Sequence, residues 1–149
     1  MVIGIFGESC TGKSTLAQLL KSRLDAEVYT GKDYLRFSKN ESMAKVVFRK
    51  ELESALSGKN ILYVISEPEH LSLLPEGALR VLVTADLEQI KSRFAQRMKG
   101  NLPAAVSAML ERKHGCFDRE RHHIHVLSGE TDPDTVCDQI LQWGKIHGQ

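Results

Sequence analysis

Short runs of apolar residues recur along the chain, separated by turn residues or by longer amphipathic segments. Three runs are almost continuously apolar, namely Val2–Phe6, Ile61–Ile65 and Leu79–Thr84. Such runs are typical of strands that are covered on both faces, as in a parallel sheet. Two weaker runs, Ala26–Tyr29 and Ile124–Leu127, predict one further strand each. The pattern therefore predicts five strands.

Segments with apolar residues at helical spacing lie between these runs. Ser38–Glu41 has the spacing of a capping box and predicts the start of a helix that ends at Gly58. Asp86 and Gln89 predict the cap of the next helix, and a further helix starts near Pro103. The apolar stripes include Leu16, Leu20 and Leu24; Val47, Phe48 and Leu52; Leu87, Ile90 and Phe94; Val106, Met109 and Leu110; and Val136, Ile140 and Trp143.

Because strands alternate with helices throughout, we predict an α/β fold with three layers, α/β/α. The sheet should be mostly parallel and five-stranded, with helices on both faces. A length of 149 residues, 42% of them hydrophobic, is enough for one core, so we expect a single domain over 1–149. In such folds, ligands bind at the carboxyl ends of the strands.

A phosphate-binding loop, Gly7–Ser14, follows the first predicted strand and precedes the first helix. Its two glycines let the backbone approach phosphate oxygens, so that amides and the helix N-terminus surround the anion. Lys13 adds charge for the outer phosphates, and the Ser14 hydroxyl can ligate a bridging Mg²⁺. The motif predicts a P-loop NTPase fold that binds ATP or GTP through Gly7, Ser9, Cys10, Thr11, Gly12, Lys13, Ser14 and Thr15.

Further charged residues follow the other predicted strands. Asp33 is suited to accept a proton from an acceptor hydroxyl or to anchor Mg²⁺, with a role as a turn or cap residue as the alternative. Glu67 is a candidate Mg²⁺ ligand or a cap for the loop before Pro68. Arg93 and Arg97 project side by side from one helix flank and are suited to close over a transferring phosphoryl group, unless that flank is simply solvated.

The composition of the chain limits the classes of binding partner and the cellular compartment that we expect. Twenty basic and 19 acidic residues give a formal net charge of +1, so no overall field favours nucleic acid or a membrane. No stretch is long enough to span a membrane, and the first apolar run is too short for a signal peptide. Cys10, Cys116 and Cys137 are odd in number and scattered, which predicts reduced thiols in a cytoplasm. No closed pattern of zinc ligands matches the spacing of the candidate residues His114, Cys116, His122, His123 and His125.

The order of these features resembles that of nucleoside-monophosphate-kinase-type P-loop enzymes, and most closely the cytidylate-kinase-like group. After the phosphate loop, Thr30–Arg36 is similar to the acceptor-site segment that follows the second strand in cytidylate kinases. Val81–Asp86, followed by a helix with Arg93 and Arg97, resembles the strand, helix and arginine pair that lead into the mobile lid of this superfamily.

The resemblance implies an acceptor-binding segment at about 31–58 and a lid region at about 98–122. Arg112, Asp118 and Arg121 resemble the arginine and aspartate cluster near the lid. Two features depart from the pattern: Glu67 stands where many P-loop enzymes have a magnesium-binding aspartate, and no glycine-rich motif of shikimate kinases follows it. The resemblance implies acceptor binding by Asp33, Tyr34, Arg36, Arg112 and Arg121.

We therefore predict an ATP- and Mg²⁺-dependent phosphotransferase that acts on a nucleoside monophosphate or a related nucleotide. One alternative is a kinase of a small metabolite, similar to shikimate or gluconate kinases. The other is a P-loop protein that binds or hydrolyses nucleotide in regulation, although the Asn-Lys-x-Asp motif of GTPase switches is absent. The acceptor and the oligomeric state stay open. The expected catalytic residues are Lys13, Asp33, Arg93 and Arg97, and the expected Mg²⁺ ligands are Ser14, Asp33 and Glu67.

Overall fold

Strand β1, Val2–Phe6, lies at the centre of a five-stranded sheet, and all of its side chains are buried. The computed structural model describes residues 1–147. The other strands are β2 (Ala26–Thr30), β3 (Asn60–Ile65), β4 (Leu79–Thr84) and β5 (Ile124–Leu127). Their spatial order is β2-β3-β1-β4-β5, and every neighbouring pair is parallel. The predicted parallel five-stranded sheet is confirmed.

Helices cover both faces of the sheet. The odd-numbered side chains of β3 pack with α2, whereas the even-numbered ones pack with α1 and α5. Helices α3 and α4 pack on each other beside the phosphate loop. Across residues 1–147, none of the helices combines the length and the apolar character that a membrane crossing requires. The helices are α1 (Lys13–Arg23), α2 (Glu41–Ala55), α3 (Leu87–Arg97), α4 (Ala104–Lys113) and α5 (Pro133–His147).

Helix caps show how closely local sequence sets the element boundaries. Asp86 caps α3 as predicted, because its Oδ1 accepts a hydrogen bond from the Gln89 amide at 2.8 Å. Helix α2 is instead capped by Asn40, whose Oδ1 accepts from the Met43 amide at 2.9 Å. Ser38 lies in extended backbone and accepts from the Asn40 amide, so the predicted cap is two residues too early.

Two connecting segments that follow strands form 3₁₀ helices. Gly31–Phe37 follows β2, and Pro68–Leu73 follows β3. In the second segment, Leu71 and Leu73 are buried in the same core cluster as α2. The local sequence of this segment indicates only a proline-rich turn. Burial of the two leucines in the core therefore stabilises its 3₁₀ conformation.

Candidate active site

The loop from β1 to α1 lies at the carboxyl edge of the sheet. A Cβ at Gly7 would lie 2.1 Å from the Val83 carbonyl oxygen, so the backbones of β1 and β4 meet too closely here for any other residue. Gly12 precedes α1 with a left-handed φ of 99°. No side chain caps α1, so the amides of its first turn keep their capacity to bind an anion.

Lys13 is almost fully buried beside the loop backbone. Its Nζ donates a hydrogen bond to the Glu8 carbonyl oxygen at 2.6 Å, and Thr11 Oγ1 donates to the same oxygen at 2.8 Å. Burial, assisted by the nearby positive charge of Arg97, lowers the pKa of Lys13 to about 8. The hydrogen-bond partner of this ammonium is a neutral carbonyl oxygen, so a bound phosphate would supply a negatively charged partner.

A first cavity of about 590 Å³ lies between the loop, α3 and the residues that follow β5. The loop and the start of α1 form one wall, and α3 supplies polar side chains to another. Its lining includes Cys10, Thr11, Gly12, Thr15, Val83, Arg93, Gln96, Arg97, Ser128, Gly129, Thr131 and Pro133.

A second cavity of about 600 Å³ lies on the other side of the loop, toward the end of β2. The loop and the first turn of α1 face the residues from Thr30 to Asp33 across it, and Ser66 contributes at the end of β3. Arg97 lines both cavities, so the two spaces meet beside this side chain. The second cavity is lined by Ser9, Cys10, Gly12, Lys13, Ser14, Thr15, Thr30, Gly31, Lys32, Asp33, Val64, Ser66 and Arg97.

The two arginines of α3, which were expected to act as a pair, occupy different positions. Arg93 Nη1 donates a hydrogen bond to the Cys10 carbonyl oxygen at 3.0 Å, which ties α3 to the phosphate loop. Arg93 lines the first cavity but not the second, whereas Arg97 lines both. Of the two, only Arg97 is therefore placed between the loop and the end of β2.

Asp33 caps the turn after β2 and also lines the second cavity. Its Oδ2 accepts from the Thr30 amide at 2.8 Å and from Thr30 Oγ1 at 3.3 Å, and it lies 3.4 Å from Arg36 Nη2. Its Oδ1 accepts no hydrogen bond from the residues in 1–147. Since Asp33 also lines the second cavity, it is a cap residue with one carboxylate oxygen left for a ligand.

Glu67 is not among the residues that line the second cavity. Its Oε1 lies 3.5 Å from Lys113 Nζ at the end of α4. The backbone is extended at Glu67, so successive side chains point in opposite directions, and Ser66 lines the cavity instead. The expectation that Glu67 ligates Mg²⁺ is therefore not supported by its position.

Tyr34 does not face the cavity, contrary to the expectation that it binds the acceptor. The side chain is 1% exposed and packs against the rings of Phe48 and His70. Its hydroxyl donates to Glu41 Oε1 at 3.1 Å. Arg36 does reach the surface beside Asp33, but it lines neither cavity. The 3₁₀ turn after β2 thus directs Tyr34 into the core.

The two arginines near the expected lid also lie outside both cavities. Arg112 is exposed on α4. Arg121 Nη2 lies 3.1 Å from Glu76 Oε2, just before β4 and β5 begin. Parallel strands begin at the edge opposite the phosphate loop, so Arg121 lies away from both cavities. The chain crosses the sheet before it reaches Arg121, because Phe117 packs on Phe6 at the other edge.

Several cavity residues have no counterpart among the predicted site residues. Lys32 and Ser66 line the second cavity, and Gln96 with the turn after β5 lines the first. The rule that ligands bind at the carboxyl ends of parallel strands applies to Ser66 and to the turn, including Ser128. Over 1–147, no group of three or more His, Cys, Asp or Glu side chains is arranged to hold a metal ion.

The sequence matches no protein-family model and no curated protein. Solved structures do match over almost the whole chain. An uncharacterised protein from Eubacterium ventriosum has a TM-score of 0.68 at 15% identity, with coverage of 96% of this chain and 97% of that one. A gluconokinase from Sinorhizobium meliloti has a TM-score of 0.62 at 11% identity, with coverage of 98% and 93%.

A shikimate kinase from Acinetobacter baumannii, in complex with shikimate, also has a TM-score of 0.62, at 18% identity and with coverage of 95% and 91%. These identities are low, and what the matches establish is the architecture. The sheet, its flanking helices and the loop after β1 agree with that architecture. This chain has the α/β fold of the P-loop kinases.

Proposed function

We propose that this protein is an ATP- and Mg²⁺-dependent phosphotransferase that transfers the terminal phosphoryl group of ATP to a small acceptor. The observation that carries the proposal is the position of Arg97, which lines two cavities that meet at the phosphate loop. Phosphoryl transfer depends mainly on alignment of the reactants and on neutralisation of charge. A donor cavity and an acceptor cavity that share one arginine satisfy both needs.

The donor occupies the loop and the first cavity. Its outer phosphates replace the Glu8 carbonyl oxygen as the partner of Lys13 Nζ, and the free amides at the start of α1 bind phosphate oxygens. The base lies between Gln96 of α3 and the turn after β5. Arg93, fixed to the Cys10 carbonyl, holds the loop against α3.

The chain offers oxygen ligands of the kind that Mg²⁺ prefers. The Ser14 side chain is exposed at the start of α1, and Asp33 has a carboxylate oxygen without a protein partner; both residues line the second cavity. Mg²⁺ held by these oxygens would neutralise part of the negative charge of the donor.

The acceptor enters the second cavity, opposite the loop. Asp33 orients the acceptor hydroxyl and accepts its proton as the bond to the phosphoryl group forms. Arg97 stabilises the charge on the phosphoryl oxygens during transfer. In this assignment residues 31–58 bind the acceptor, and residues 98–122, which include α4, form the lid region.

Two acceptor classes fit this site. A nucleoside monophosphate is the first, from the resemblance of Thr30–Arg36 to the acceptor segment of cytidylate kinases. A hydroxylated metabolite is the second, and it is favoured at least as strongly, because the structural neighbours include a gluconokinase and a shikimate kinase.

The test measures ADP formation from Mg²⁺-ATP by the purified protein. Nucleoside monophosphates are screened first, then hydroxylated metabolites, with a reaction that lacks acceptor as the control. We expect at least one acceptor to accelerate turnover and Arg97→Ala to abolish that acceleration. Arg119→Ala is the matched control, because Arg119 is exposed and lines neither cavity. ATP binding without acceptor-stimulated turnover would favour a regulatory P-loop protein instead.

A further inference from the structure

Lys32 lines the second cavity from the wall opposite the phosphate loop. The residue is exposed, and its side chain has no ion pair or hydrogen bond with the residues in 1–147. Some lysines of this chain pair with a nearby carboxylate, as Lys113 does with Glu67 and Lys91 with Glu111. Lys32 is therefore a cationic residue in the lining of this cavity that has no counterion among residues 1–147.

The backbone on both sides of Lys32 is anchored. The hydroxyl of Tyr63, a fully buried residue of β3, donates to the Gly31 carbonyl oxygen at 2.7 Å. On the other side, Asp33 accepts from the Thr30 amide at 2.8 Å. These bonds fix the Cα of Lys32 relative to the central sheet, while its four-carbon side chain stays free to adjust. The geometry supplies a positioned but adaptable positive charge.

The charges of the second cavity are unbalanced. Three cationic side chains line it, those of Lys13, Lys32 and Arg97, against the single carboxylate of Asp33. That carboxylate already lies beside the guanidinium of Arg36. Under the proposed function, Lys13 and Arg97 are neutralised by the phosphates of the donor. Lys32 then remains as the cation that the phosphates of the donor do not neutralise.

We propose that Lys32 binds an anionic group of the acceptor, a carboxylate or a phosphate, and thereby selects acidic acceptors over neutral ones. The inference rests on the proposed function, because it takes the second cavity as the acceptor site. Lysine suits either anion, since its ammonium acts as a compact point charge without the planar fork of arginine. Asp33 and Lys32 then hold two ends of the same acceptor, its hydroxyl and its anionic group.

The test is equilibrium binding by calorimetry to the protein saturated with Mg²⁺ and a non-hydrolysable ATP analogue. Two pairs of ligands differ in one acidic group: gluconate with the open-chain polyol glucitol, and cytidine monophosphate with cytidine. We expect the anionic member of at least one pair to bind about tenfold or more tightly than its neutral counterpart. The gluconate arm reports carboxylate recognition, and the cytidine arm reports phosphate recognition.

Lys32→Gln should abolish this preference and leave the affinity for the ATP analogue unchanged, whereas Lys32→Arg should retain it. Lys39→Gln is the matched control, because Lys39 is an exposed lysine of the same segment that lines neither cavity. An equal preference in wild type and Lys32→Gln, or no charge preference in either pair, including no binding at all, overturns the inference. A charge preference without phosphoryl transfer to the bound anion would overturn only the proposed function.

Discussion

Glu8, the second residue of the phosphate-binding loop, holds the chain at the end of α4 through Gly115. Its Oε2 accepts a hydrogen bond from the Gly115 amide at 3.1 Å, and its Oε1 lies 3.1 Å from His114 Nδ1. The Glu8 side chain is 10% exposed and lines neither cavity. The Glu8 carboxylate is thus directed to the end of α4 and away from both cavities.

Replacing Glu8 by Ala should detach this segment from the loop. The Gly115 amide would lose its acceptor, and we expect the free energy of unfolding to fall by about 1 kcal/mol. Urea unfolding measures the change, and amide hydrogen exchange of residues 114–117 should accelerate. Glu8→Gln should lose less, since its amide oxygen can still accept from Gly115. Equal stability of wild type and Glu8→Ala would show that the contact contributes nothing.

ATP affinity should depend on pH through Lys13. Its pKa is lowered to about 8, so the ammonium that binds phosphate is progressively lost above that pH in the free protein. Bound phosphate favours the charged form, and the Kd for Mg²⁺-ATP should therefore rise above pH 8, by at most about tenfold per pH unit. Calorimetric titrations from pH 7 to 9.5 measure this dependence.

The control for that pH profile is Lys13→Ala. The variant should bind Mg²⁺-ATP weakly and with a flat profile over the same range, with its fold retained according to circular dichroism. Wild-type affinity in Lys13→Ala would refute the assignment of the loop as the triphosphate site.

Arg97 and Arg93 should give different kinetic phenotypes. Arg97→Ala should lower kcat by about 10²-fold or more with little change in ATP affinity, because Arg97 is placed where the two cavities meet. Arg93→Ala should mainly raise the KM for ATP, because it frees the Cys10 carbonyl and loosens the loop. Steady-state kinetics with the identified acceptor separate the two effects. Identical profiles for both variants would contradict the division of roles.

Gly7→Ala should destabilise the protein by about 1–3 kcal/mol and impair ATP binding. The added methyl would lie 2.1 Å from the Val83 carbonyl oxygen, so β1 and β4 must separate at the phosphate site. Gly58→Ala is the matched control, since its nearest neighbour would be the Ser54 carbonyl oxygen at 3.6 Å. Thermal unfolding measures the stability of both variants. Equal stability of Gly7→Ala and Gly58→Ala would show that β1 and β4 can separate at little cost.

Acid should weaken the contact between the start of β4 and the residue before β5. His123 Nδ1 accepts a hydrogen bond from the Arg80 amide at 2.9 Å, which requires that nitrogen to be unprotonated. Burial, with nearby Arg121 and Arg80, lowers the pKa of His123 below its ordinary 6.5. The unfolded chain therefore binds the proton more readily, and this contribution to stability is present above pH 6.5 and lost as the pH falls below it.

Unfolding free energies from pH 7.5 to 5 provide the measurement for this effect. His123→Gln should show a shallower loss of stability toward acid than wild type. His122→Gln should keep a slope close to that of wild type, because His122 Nδ1 donates to the Glu120 carbonyl oxygen and does not bond the Arg80 amide. A wild-type slope in His123→Gln would exclude His123 as the source.

The sequence predicted the features that depend on local pattern. Apolar runs located the strands, the motif at Gly7–Ser14 located the phosphate loop, and Asp86 was correctly identified as a cap. Asp33 was also placed correctly at the end of β2, because parallel strands bring their carboxyl ends to one edge.

Predictions that required the direction of a side chain were less reliable. Tyr34 and Asp33 are neighbours in one 3₁₀ turn, yet one enters the core and the other faces the cavity. Arg121 precedes a strand by three residues, but that places it at the edge opposite the loop. The direction of these side chains depends on how the turn packs and on where the chain crosses the sheet. Neither feature produces a periodic pattern of apolar and polar residues in the sequence.

The central position of β1 has a consequence for biosynthesis. Its two partners, β3 and β4, begin at Asn60 and Leu79, so β1 is made long before either neighbour. At roughly 5–20 residues per second, several seconds of translation separate β1 from β3. During that time an apolar strand that will be fully buried has no partner on either edge. Ribosome-bound chains that end before β3 should therefore depend on chaperones, whereas chains that include β4 can close the centre of the sheet.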